Sequence, residues 1–310
     1  MTVPGEVTGG ATGGVTVDRD WLRAHPLPVP AEDDDKTGRG TVLVIGGCAE
    51  VPGAVLLAGE GALRAGAGRL QLATVRSVAT TLAVAVPEAL VIGLEEGGDG
   101  CVAPAAAGSL LARVARCTAA VIGPGLAEEG AAALTAALLD GTEPGVAIVL
   151  DAAALAAPDA AVRRHTGRTV ITPHAGEMAR LLDIPRDAVH ADPLAAARRA
   201  CERLGAVVVM KGSTTWVVAP SGEVAHSSHG HVGLATSGSG DTLAGIVAGL
   251  LARGVEPFVA TCWAVWLHAE AGHRLSASRG PLGFLARELL AEVPGIMADL
   301  APGAGDGRAA

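Results

Sequence analysis

Short apolar runs rich in β-branched residues recur along the chain, and stretches rich in Ala and Leu separate them. Runs that are apolar on both faces are typical of strands in a parallel sheet whose two faces are covered by helices. The predicted strands are TVLVIGG, RLQLAT, ALVIGL, TAAVIG, VAIVLD and AVVVMK, and the predicted helices span 54–65, 130–139, 193–204, 241–252, 257–271 and 282–292. This alternation predicts an α/β fold with a mostly parallel central sheet and helices on both faces.

The rest of the chain organisation follows from turn and composition signals. The sequence TTWVVAP-SG-EVAHSS predicts a hairpin with Ser221 and Gly222 at its turn. No internal repeat or interdomain linker interrupts the pattern, so a single domain is predicted over residues 36–302. Residues 1–35, rich in Gly, Pro and acidic residues, predict a mobile N-terminal arm with one short helix near 20–24, and 303–310 predict a disordered tail.

Composition argues against several functional classes. The 310 residues include 23 Lys and Arg against 32 Asp and Glu, with no basic cluster, which argues against a nucleic-acid partner. No apolar stretch reaches the roughly 18 residues of a bilayer span, and the first residues lack a signal-peptide pattern, so no membrane partner and a cytoplasmic location are predicted. The cysteines are odd in number and form no CxxC pair, which predicts reduced core thiols at Cys48, Cys101, Cys117, Cys201 and Cys262.

The segment from Ala235 to Gly245 is the strongest chemical motif. Its small residues, among them Gly238, Ser239 and Gly240, allow close backbone packing ahead of a helix predicted to begin at Asp241. Backbone N–H groups and the helix dipole favour a phosphate there, and the carboxylate of Asp241 can accept a proton from a substrate hydroxyl. The alternative is that Asp241 merely caps its helix.

A lysine follows the last predicted buried strand. Lys211 stands at the carboxyl end of that strand, at the edge where α/β sheets bind ligands. Its ammonium group can neutralise nucleotide phosphates, and the hydroxyls of the following residues can donate hydrogen bonds to them. The alternative is an ordinary solvated strand end.

Three further segments place polar or small residues at predicted strand ends. His174 follows the run VIT and can hydrogen-bond a polar substrate, and Glu177 then lies in the first helical turn. The runs 46–48 and 122–126 are glycine-rich and allow a ligand to approach the sheet. A surface histidine, a helix-dipole partner and plain turns are the respective alternatives.

In this order, these segments resemble the NAD(P)H-hydrate dehydratase family, a branch of the ribokinase-like superfamily. The resemblance covers residues 36 to about 294. It is carried by Asp35-Lys36, Arg39-Gly40, Gly53-Ala54, Ala62-Leu-Arg-Ala-Gly-Ala-Gly68, Pro87-Glu88, Gly123-Pro-Gly-Leu126, Thr172-Pro-His174, Gly176-Glu177, Lys211-Gly212, the run from Gly238 to Gly245, Leu267-His-Ala269 and Ala271-Gly272.

The resemblance implies a ribokinase-like three-layer sandwich and a set of site residues. Asp241 would be the catalytic base and would contact the hydrate. The residues implied to bind the hydrated nicotinamide dinucleotide are Ala54, Gly123, Gly125, His174 and Asp241. Those implied to hold the adenine nucleotide are Lys211, Gly212, Ser213, Thr214, Thr215, Gly238, Ser239 and Gly240. Supporting roles are expected for Lys36, Asp151 and Glu177, while the sequence leaves the metal ligands undefined.

The implied reaction is the repair of NADH-hydrate or NADPH-hydrate. ADP or ATP would phosphorylate the C6 hydroxyl of the (S)-hydrate, and loss of phosphate would restore NADH or NADPH, with Mg²⁺ bridging phosphate oxygens. The resemblance also implies a homo-oligomer, with a tetramer favoured. Only 35 residues precede Lys36, too few for the epimerase domain that many members carry, which implies that the epimerase is a separate protein.

This chain departs from the family pattern at three places. Cys48 and Val51 replace a Ser and a Tyr. The stretch Asp151-Ala-Ala-Ala-Leu155 lacks the second carboxylate of the usual Asp-Ala-Asp-Ala-Leu, and the tripeptide 231–233, His-Val-Gly, replaces Asn-Pro-Gly. These changes concern substrate contacts and ion binding and leave the Lys211 and Asp241 segments intact.

Two other functions fit part of the pattern. A ribokinase-like kinase acting on hydroxyethylthiazole or hydroxymethylpyrimidine shares the Gly-rich stretch that ends in Asp241, but it does not usually carry the Thr-Pro-His-Ala-Gly-Glu segment followed by Lys-Gly. A non-catalytic nucleotide-binding module would keep the fold without the chemistry. The products separate the three, because a kinase yields a stable phosphorylated alcohol, a dehydratase releases inorganic phosphate, and a module does neither.

Overall fold

The computed structural model describes residues 13–29 and 36–301. The strands are β1 (Val15–Thr16), β2 (Thr41–Ile45), β3 (Arg69–Val75), β4 (Ala89–Leu94), β5 (Ala119–Ile122), β6 (Ala147–Leu150), β7 (Thr169–Ile171), β8 (Val207–Met210), β9 (Thr215–Val218) and β10 (Val224–Ser227). The helices are α1 (Arg19–Ala24), α2 (Gly53–Arg64), α3 (Arg76–Ala85), α4 (Ala107–Val114), α5 (Glu128–Asp140), α6 (Asp159–Arg163), α7 (Ala175–Leu182), α8 (Arg186–Ala191), α9 (Pro193–Leu204), α10 (Ser239–Ala252), α11 (Pro257–Arg279) and α12 (Ala286–Asp299).

All the described strands belong to one sheet. Their order is β1-β10-β9-β8-β7-β6-β5-β2-β3-β4, and only β9 runs antiparallel to its neighbours. The parallel strands β2 to β8 alternate with helices, as the apolar runs predict. The predicted hairpin is confirmed as β9 and β10, with Ser221 and Gly222 in the connection.

Helices cover both faces of this sheet. In β2, Val42 and Val44 pack into one core with α2, α10, α11 and α12, whereas Leu43 and Ile45 pack into the other core with α4, α5, α7 and α9. This division follows from the strand geometry, in which successive side chains point to opposite faces. The three-layer α/β sandwich is therefore confirmed.

Close packing between α2 and α10 fixes the helix that carries the Gly-rich motif. A Cβ atom at Gly245 would overlap the backbone carbonyl of Ala58, so only glycine allows the two helices to approach this closely. The middle of α10 is thereby held against α2.

Residues 13–29 differ from the predicted mobile arm. β1 adds to the edge of the sheet beside β10, and the side chain of Leu22 in α1 is fully buried. The indole of Trp263 donates a hydrogen bond of 2.7 Å to the His25 carbonyl. A few apolar side chains are enough to dock this segment, although its overall composition is that of a loop. The short helix near 20–24 is confirmed, and residues 1–12, 30–35 and the predicted tail 303–310 lie outside the described residues.

The predicted bounds of three helices need correction. Helix α10 begins at Ser239 rather than at Asp241, and α11 continues to Arg279 instead of ending near residue 271. Helix α12 spans Ala286–Asp299 and contains Pro294, whereas the prediction was 282–292. Packing against the sheet and the neighbouring helices extends these helices beyond the local sequence signals.

The cysteine prediction is confirmed, because all five thiols are buried and free of disulfide bonds. Within the described part of the chain, no helix is long and apolar enough to cross a bilayer. Trp263 and Trp266 are both buried in the core, in keeping with a packing role.

Candidate active site

A cavity of about 810 Å³ opens at the carboxyl edge of the parallel strands. In α/β sheets this edge is the usual site of ligand binding. The polar and charged residues that line the cavity are Asp151, His174, Glu177, Lys211, Ser213, Thr215, Ser227, His231, Thr236, Ser239, Asp241 and His268. The chain thus gathers residues that are up to 117 positions apart, from Asp151 to His268, around one space.

The amino end of α10 points into this cavity. Gly238 is the N-cap residue, with φ of 86°, and Asp241 lies inside the first turn. The interpretation of Asp241 as a simple helix cap is therefore wrong. The backbone N–H groups of Gly240 and Asp241 lie in the first turn, where no carbonyl of a preceding turn is available, so they can receive an anion.

A buried carboxylate at the end of β6 organises the opposite wall. The side chain of Asp151 accepts hydrogen bonds from the Thr172 hydroxyl at 2.6 Å and from the Lys211 ammonium at 3.2 Å. The ammonium also lies 3.8 Å from a carboxylate oxygen of Glu177. Because these side chains come from the ends of β6, β7 and β8 and the start of α7, the sheet edge holds them together.

The acidic surroundings change the basicity of Asp241. Burial and the Asp151 carboxylate raise the pKa of Asp241 to about 7, Lys211 opposes this rise, and Glu177 adds to it. A carboxyl group with a pKa near the working pH is well matched to general-base catalysis. For Lys211, burial lowers the pKa, but the Asp151 and Glu177 carboxylates outweigh it, so the net pKa is raised and the ammonium stays charged.

His174 caps α7 through Nδ1, and its Nε2 lies 3.6 Å from a carboxylate oxygen of Glu177. Its Nδ1 accepts from the backbone N–H groups of Gly176, at 2.9 Å, and Glu177, at 3.3 Å. In the neutral ring the proton then resides on Nε2, which can donate to a substrate. Burial lowers the pKa of His174, partly opposed by Glu177, so this neutral form is favoured.

A second histidine supports the Gly-rich turn. Ser239 and the buried His268 of α11 form a hydrogen bond of 3.0 Å. Burial lowers the pKa of His268 to about 4, which keeps the ring neutral near pH 7. The sequence carried no signal for this pair beyond the Leu-His-Ala motif itself.

The glycine-rich segments form the other half of the same sheet edge. A Cβ atom at Gly125 would lie 3.0 Å from the Cβ of Ala54 and 2.6 Å from the Val51 carbonyl oxygen, so these segments touch. Gly123 packs in the same way against the Asp151 backbone carbonyl. Ala54, Gly123 and Gly125 are not among the residues that line the 810 Å³ cavity.

Most of the predicted nucleotide residues meet at the cavity, with some exceptions. Thr214 instead forms a hydrogen bond of 2.9 Å with Ser228, and Gly238 lies behind the first turn of α10 against Leu57. Lys36 precedes β2 and lies at the amino-terminal edge of the sheet, opposite the cavity, so the fold does not bring it to the site. Residues for which no role was predicted, although they line the cavity, include Ser227, His231, Leu234, Thr236 and His268.

The protein alone does not form a metal cage in the part of the chain that the structure describes. No group of three or more His, Cys, Asp or Glu side chains there is arranged around one metal position. Lys211 occupies the space between the Asp151 and Glu177 carboxylates instead.

The fold and the site define a ribokinase-like α/β protein. A solved ribokinase-like superfamily protein from Enterococcus faecalis covers 96% of this chain and 99% of its own, with a TM-score of 0.78 and 26% identity. The family model of the NAD(P)H-hydrate dehydratases matches residues 42–295.

Two relatives agree with that match. An ADP-dependent (S)-NAD(P)H-hydrate dehydratase from Xanthomonas campestris is 49% identical over 91% of this chain and 96% of its own. The crystal structure of the ADP/ATP-dependent NAD(P)H-hydrate dehydratase from Bacillus subtilis, co-crystallised with ATP and Mg²⁺, covers 94% of this chain and 100% of its own, with a TM-score of 0.77 and 27% identity. The chain belongs to the NAD(P)H-hydrate dehydratase family.

Proposed function

We propose that this protein restores NADH and NADPH from their (S)-hydrates by ADP-dependent dehydration. The observation that carries the proposal is the position of Asp241, whose carboxyl group has a pKa of about 7 and lies in the first turn of α10, in the same cavity as the Lys211 ammonium. A base beside an anion-binding helix end is what phosphorylation of a hydroxyl group requires.

The two substrates would occupy neighbouring parts of the sheet edge. The nucleotide phosphates would meet Lys211, the turn 212–215 and the first turn of α10. The nicotinamide end of the hydrate would lie between Asp241 and His174, whose Nε2 can donate to it. From there the rest of the dinucleotide would extend toward Ala54, Gly123 and Gly125.

The reaction then balances in two steps. Asp241 takes the proton of the C6 hydroxyl as that oxygen attacks the terminal phosphorus of ADP, and AMP leaves. The first-turn amides of α10 and the Lys211 ammonium stabilise the charge on the transferred phosphoryl group. Phosphate next departs from C6 with the C–O bonding electrons, driven by the lone pair of the ring nitrogen, and a ring proton is lost. The products are NAD(P)H, AMP and inorganic phosphate.

ADP is proposed as the donor because the Xanthomonas relative is named ADP-dependent, while the Bacillus relative is named for both nucleotides. Mg²⁺ would be held mainly by phosphate oxygens of the nucleotide, since the described side chains form no cage of their own. It would neutralise phosphate charge when bound. The homo-oligomer with a favoured tetramer, the separate epimerase and the cytoplasmic location stay predictions.

The test mixes purified protein with (S)-NADPH-hydrate, Mg²⁺ and either ADP or ATP, and follows the absorbance of the reduced nicotinamide ring. We expect recovery of that absorbance, faster with ADP, together with one inorganic phosphate for each NADPH formed. The Asp241→Asn variant should be slower by about 10²–10⁴-fold because it lacks the base. Asp159→Asn removes a carboxylate that pairs with Arg203 away from the cavity and serves as the matched control.

The other functions predict different results. A phosphorylated alcohol without phosphate release would identify a kinase. Nucleotide binding without turnover of the hydrate would identify a binding module. Either result would overturn the proposal.

A further inference from the structure

The carboxylate of Asp151 is held by a buried hydrogen bond. Asp151 is 3% exposed and Thr172 is fully buried. The Thr172 hydroxyl donates to one oxygen of Asp151, and that same oxygen accepts from Lys211. A buried carboxylate carries a large desolvation cost unless such partners stabilise it, so this arrangement is strongly specified.

The backbone around Asp151 is constrained as well. The next residue, Ala152, adopts φ of 51°, a left-handed conformation that a residue with a Cβ atom rarely takes. Gly123 has no side chain, and this absence leaves room for the Asp151 carbonyl. Strain of this kind persists where surrounding contacts over-determine it, and it is concentrated at functional sites.

These constraints place the charged groups of Asp151 and Lys211 near the amino end of α10. A Cβ atom at Gly240 would lie 3.3 Å from the Lys211 ammonium nitrogen and 3.9 Å from the second oxygen of Asp151. The ammonium and the carboxylate therefore face the backbone next to Asp241. Lys211 itself is tied in place by its backbone N–H, which donates to the Pro173 carbonyl at 2.9 Å.

We propose that Asp151 is a positioning residue, which acts through two neighbours. Held by Thr172, it fixes the Lys211 ammonium at the amino end of α10, and its negative charge keeps Asp241 basic enough to take the proton of the hydrate. This role rests on the proposed function, but its electrostatic part can be measured without substrate. Ala153 replaces the second acidic residue of the family pattern, so Asp151 is the one carboxylate in this segment.

The charged groups that face Asp241 come from three elements. Asp151 follows β6, Lys211 follows β8, and Glu177 lies in α7. Burial and Asp151 raise the pKa of Asp241 to about 7, whereas Lys211 lowers it. His174, His231 and the neutral His268 line the same cavity. Loss of the Asp151 charge should therefore lower the pKa of Asp241, and loss of the Lys211 charge should raise it.

The first experiment measures the pH dependence of kcat/KM for the hydrate. Its acid limb reports the pKa of the base in the free enzyme. In Asp151→Asn we expect this limb to move to lower pH by about one unit, with a roughly 10-fold or larger loss of the maximum. Glu177→Gln should move it by less in the same direction, and Lys211→Met should move it to higher pH. Asp159→Asn, the control, should leave it in place.

A second experiment needs no turnover. The carboxyl carbon resonance of Asp241, assigned by its loss in Asp241→Asn, is titrated in the wild type, in Asp151→Asn and in Thr172→Val. The wild type should titrate near pH 7 and Asp151→Asn about one unit lower. Thr172→Val keeps the charge, so its titration should shift less than that of Asp151→Asn. In the kinetic experiment its KM for ADP should rise, because Asp151, the partner of Lys211, is no longer held in place by Thr172.

The outcomes separate the inference from the proposed function. If wild-type protein does not convert the hydrate yet Asp241 titrates as expected in each variant, the proposed function fails and the electrostatic role of Asp151 stands. If Asp151→Asn folds, as thermal unfolding shows, and neither the limb nor the titration moves, the inference is overturned. Should Asp151→Asn not fold, Thr172→Val decides, and an unchanged KM for ADP together with an unchanged titration of Asp241 in that variant would contradict the inference.

Discussion

The sheet edge at β6, β7 and β8 carries Asp151, Thr172 and Lys211, whereas the segments that follow β2 and β5 are rich in glycine. On the first side, buried hydrogen bonds of 2.6 and 3.2 Å hold charged side chains at fixed positions. On the second, Gly125 lies against Ala54, the Val51 carbonyl and the backbone of Gly47. Both sides belong to the same row of parallel strands.

The difference indicates that the two parts of this sheet edge have different roles in the reaction. Fixed charges stabilise developing charge, which is the larger contribution to most enzymatic rate enhancements. Small residues instead let a substrate approach the backbone and affect how it is placed. We therefore expect substitutions on the charged side to alter nucleotide use and pH dependence, and those on the small-residue side to alter the KM for the hydrate.

The largest expected effect of breaking the charged side comes from Lys211→Met. The value of kcat/KM for ADP should fall by about 10²-fold, since one donor to the transferred phosphoryl group is lost. Steady-state kinetics with varied ADP and saturating hydrate measure this. An unchanged kcat/KM for ADP in a folded variant would contradict the charged role of this side.

Gly125→Ala tests the small-residue side. The new Cβ would come within 2.6 Å of the Val51 carbonyl oxygen, and the alanine would have to keep φ near 69°, so the segment must shift. We expect the KM for the hydrate to rise by about 10-fold with little change in the KM for ADP. Gly53→Ala is the matched control, because a Cβ there meets no atom within 4 Å. An equal rise in the KM for the hydrate and the KM for ADP in Gly125→Ala would contradict the proposed difference between the two sides.

The acidic cluster should also cost stability. Asp241 has a pKa of about 7 in the fold against a model-peptide value of 3.8, so folding favours its protonated form. The contribution of Asp241 to stability is therefore fully present below about pH 4 and is lost as pH rises through 7. At pH 8 the free energy of unfolding of Asp241→Asn, measured with urea, should exceed that of the wild type by about 1–2 kcal/mol after solvent screening is allowed for. At pH 4 the two free energies of unfolding should be equal. A difference that persists at pH 4 would contradict this origin.

The smallest expected effect concerns the strained residue next to Asp151. Ala152 has a left-handed backbone conformation, which glycine adopts without the steric cost of a Cβ atom. The free energy of unfolding of Ala152→Gly should therefore exceed that of the wild type by about 0.5–1 kcal/mol. Ala156→Gly, in the same short helical segment but without positive φ, should instead lower it. Denaturant unfolding of both variants makes the comparison. A loss of stability in Ala152→Gly would mean that the strain is absent.

Much of this arrangement could be predicted from local sequence. Apolar runs identify the buried strands, and the carboxyl ends of those strands identify where Lys211, His174 and the glycine segments lie. The Gly-rich run before Asp241 likewise predicts an anion-binding helix end. Each of these signals lies within about ten residues of chain, where periodicity and turn chemistry are informative.

The missed features depend on contacts between distant residues. The Thr172–Asp151 and Ser239–His268 hydrogen bonds join residues 21 and 29 positions apart, and no local pattern reports such a pairing. Leu22 and Trp21 dock a segment whose composition predicts a loop, because their burial depends on a surface formed by α11. The expected supporting role placed Lys36 near the site, whereas it lies at the opposite edge of the sheet. A sequence motif does not show at which edge of the sheet it will lie.

The most direct test of Asp241-dependent phosphorylation and elimination follows the oxygen atom itself. (S)-NADPH-hydrate labelled with heavy oxygen at the C6 hydroxyl is converted with unlabelled ADP, and the mass of the released inorganic phosphate is measured. If the hydroxyl attacks the terminal phosphorus of ADP, each phosphate carries one heavy oxygen atom, and Asp241→Asn forms almost none of it. Unlabelled phosphate, with the heavy oxygen recovered in water, would show that ADP hydrolysis and dehydration are separate events and would contradict the mechanism.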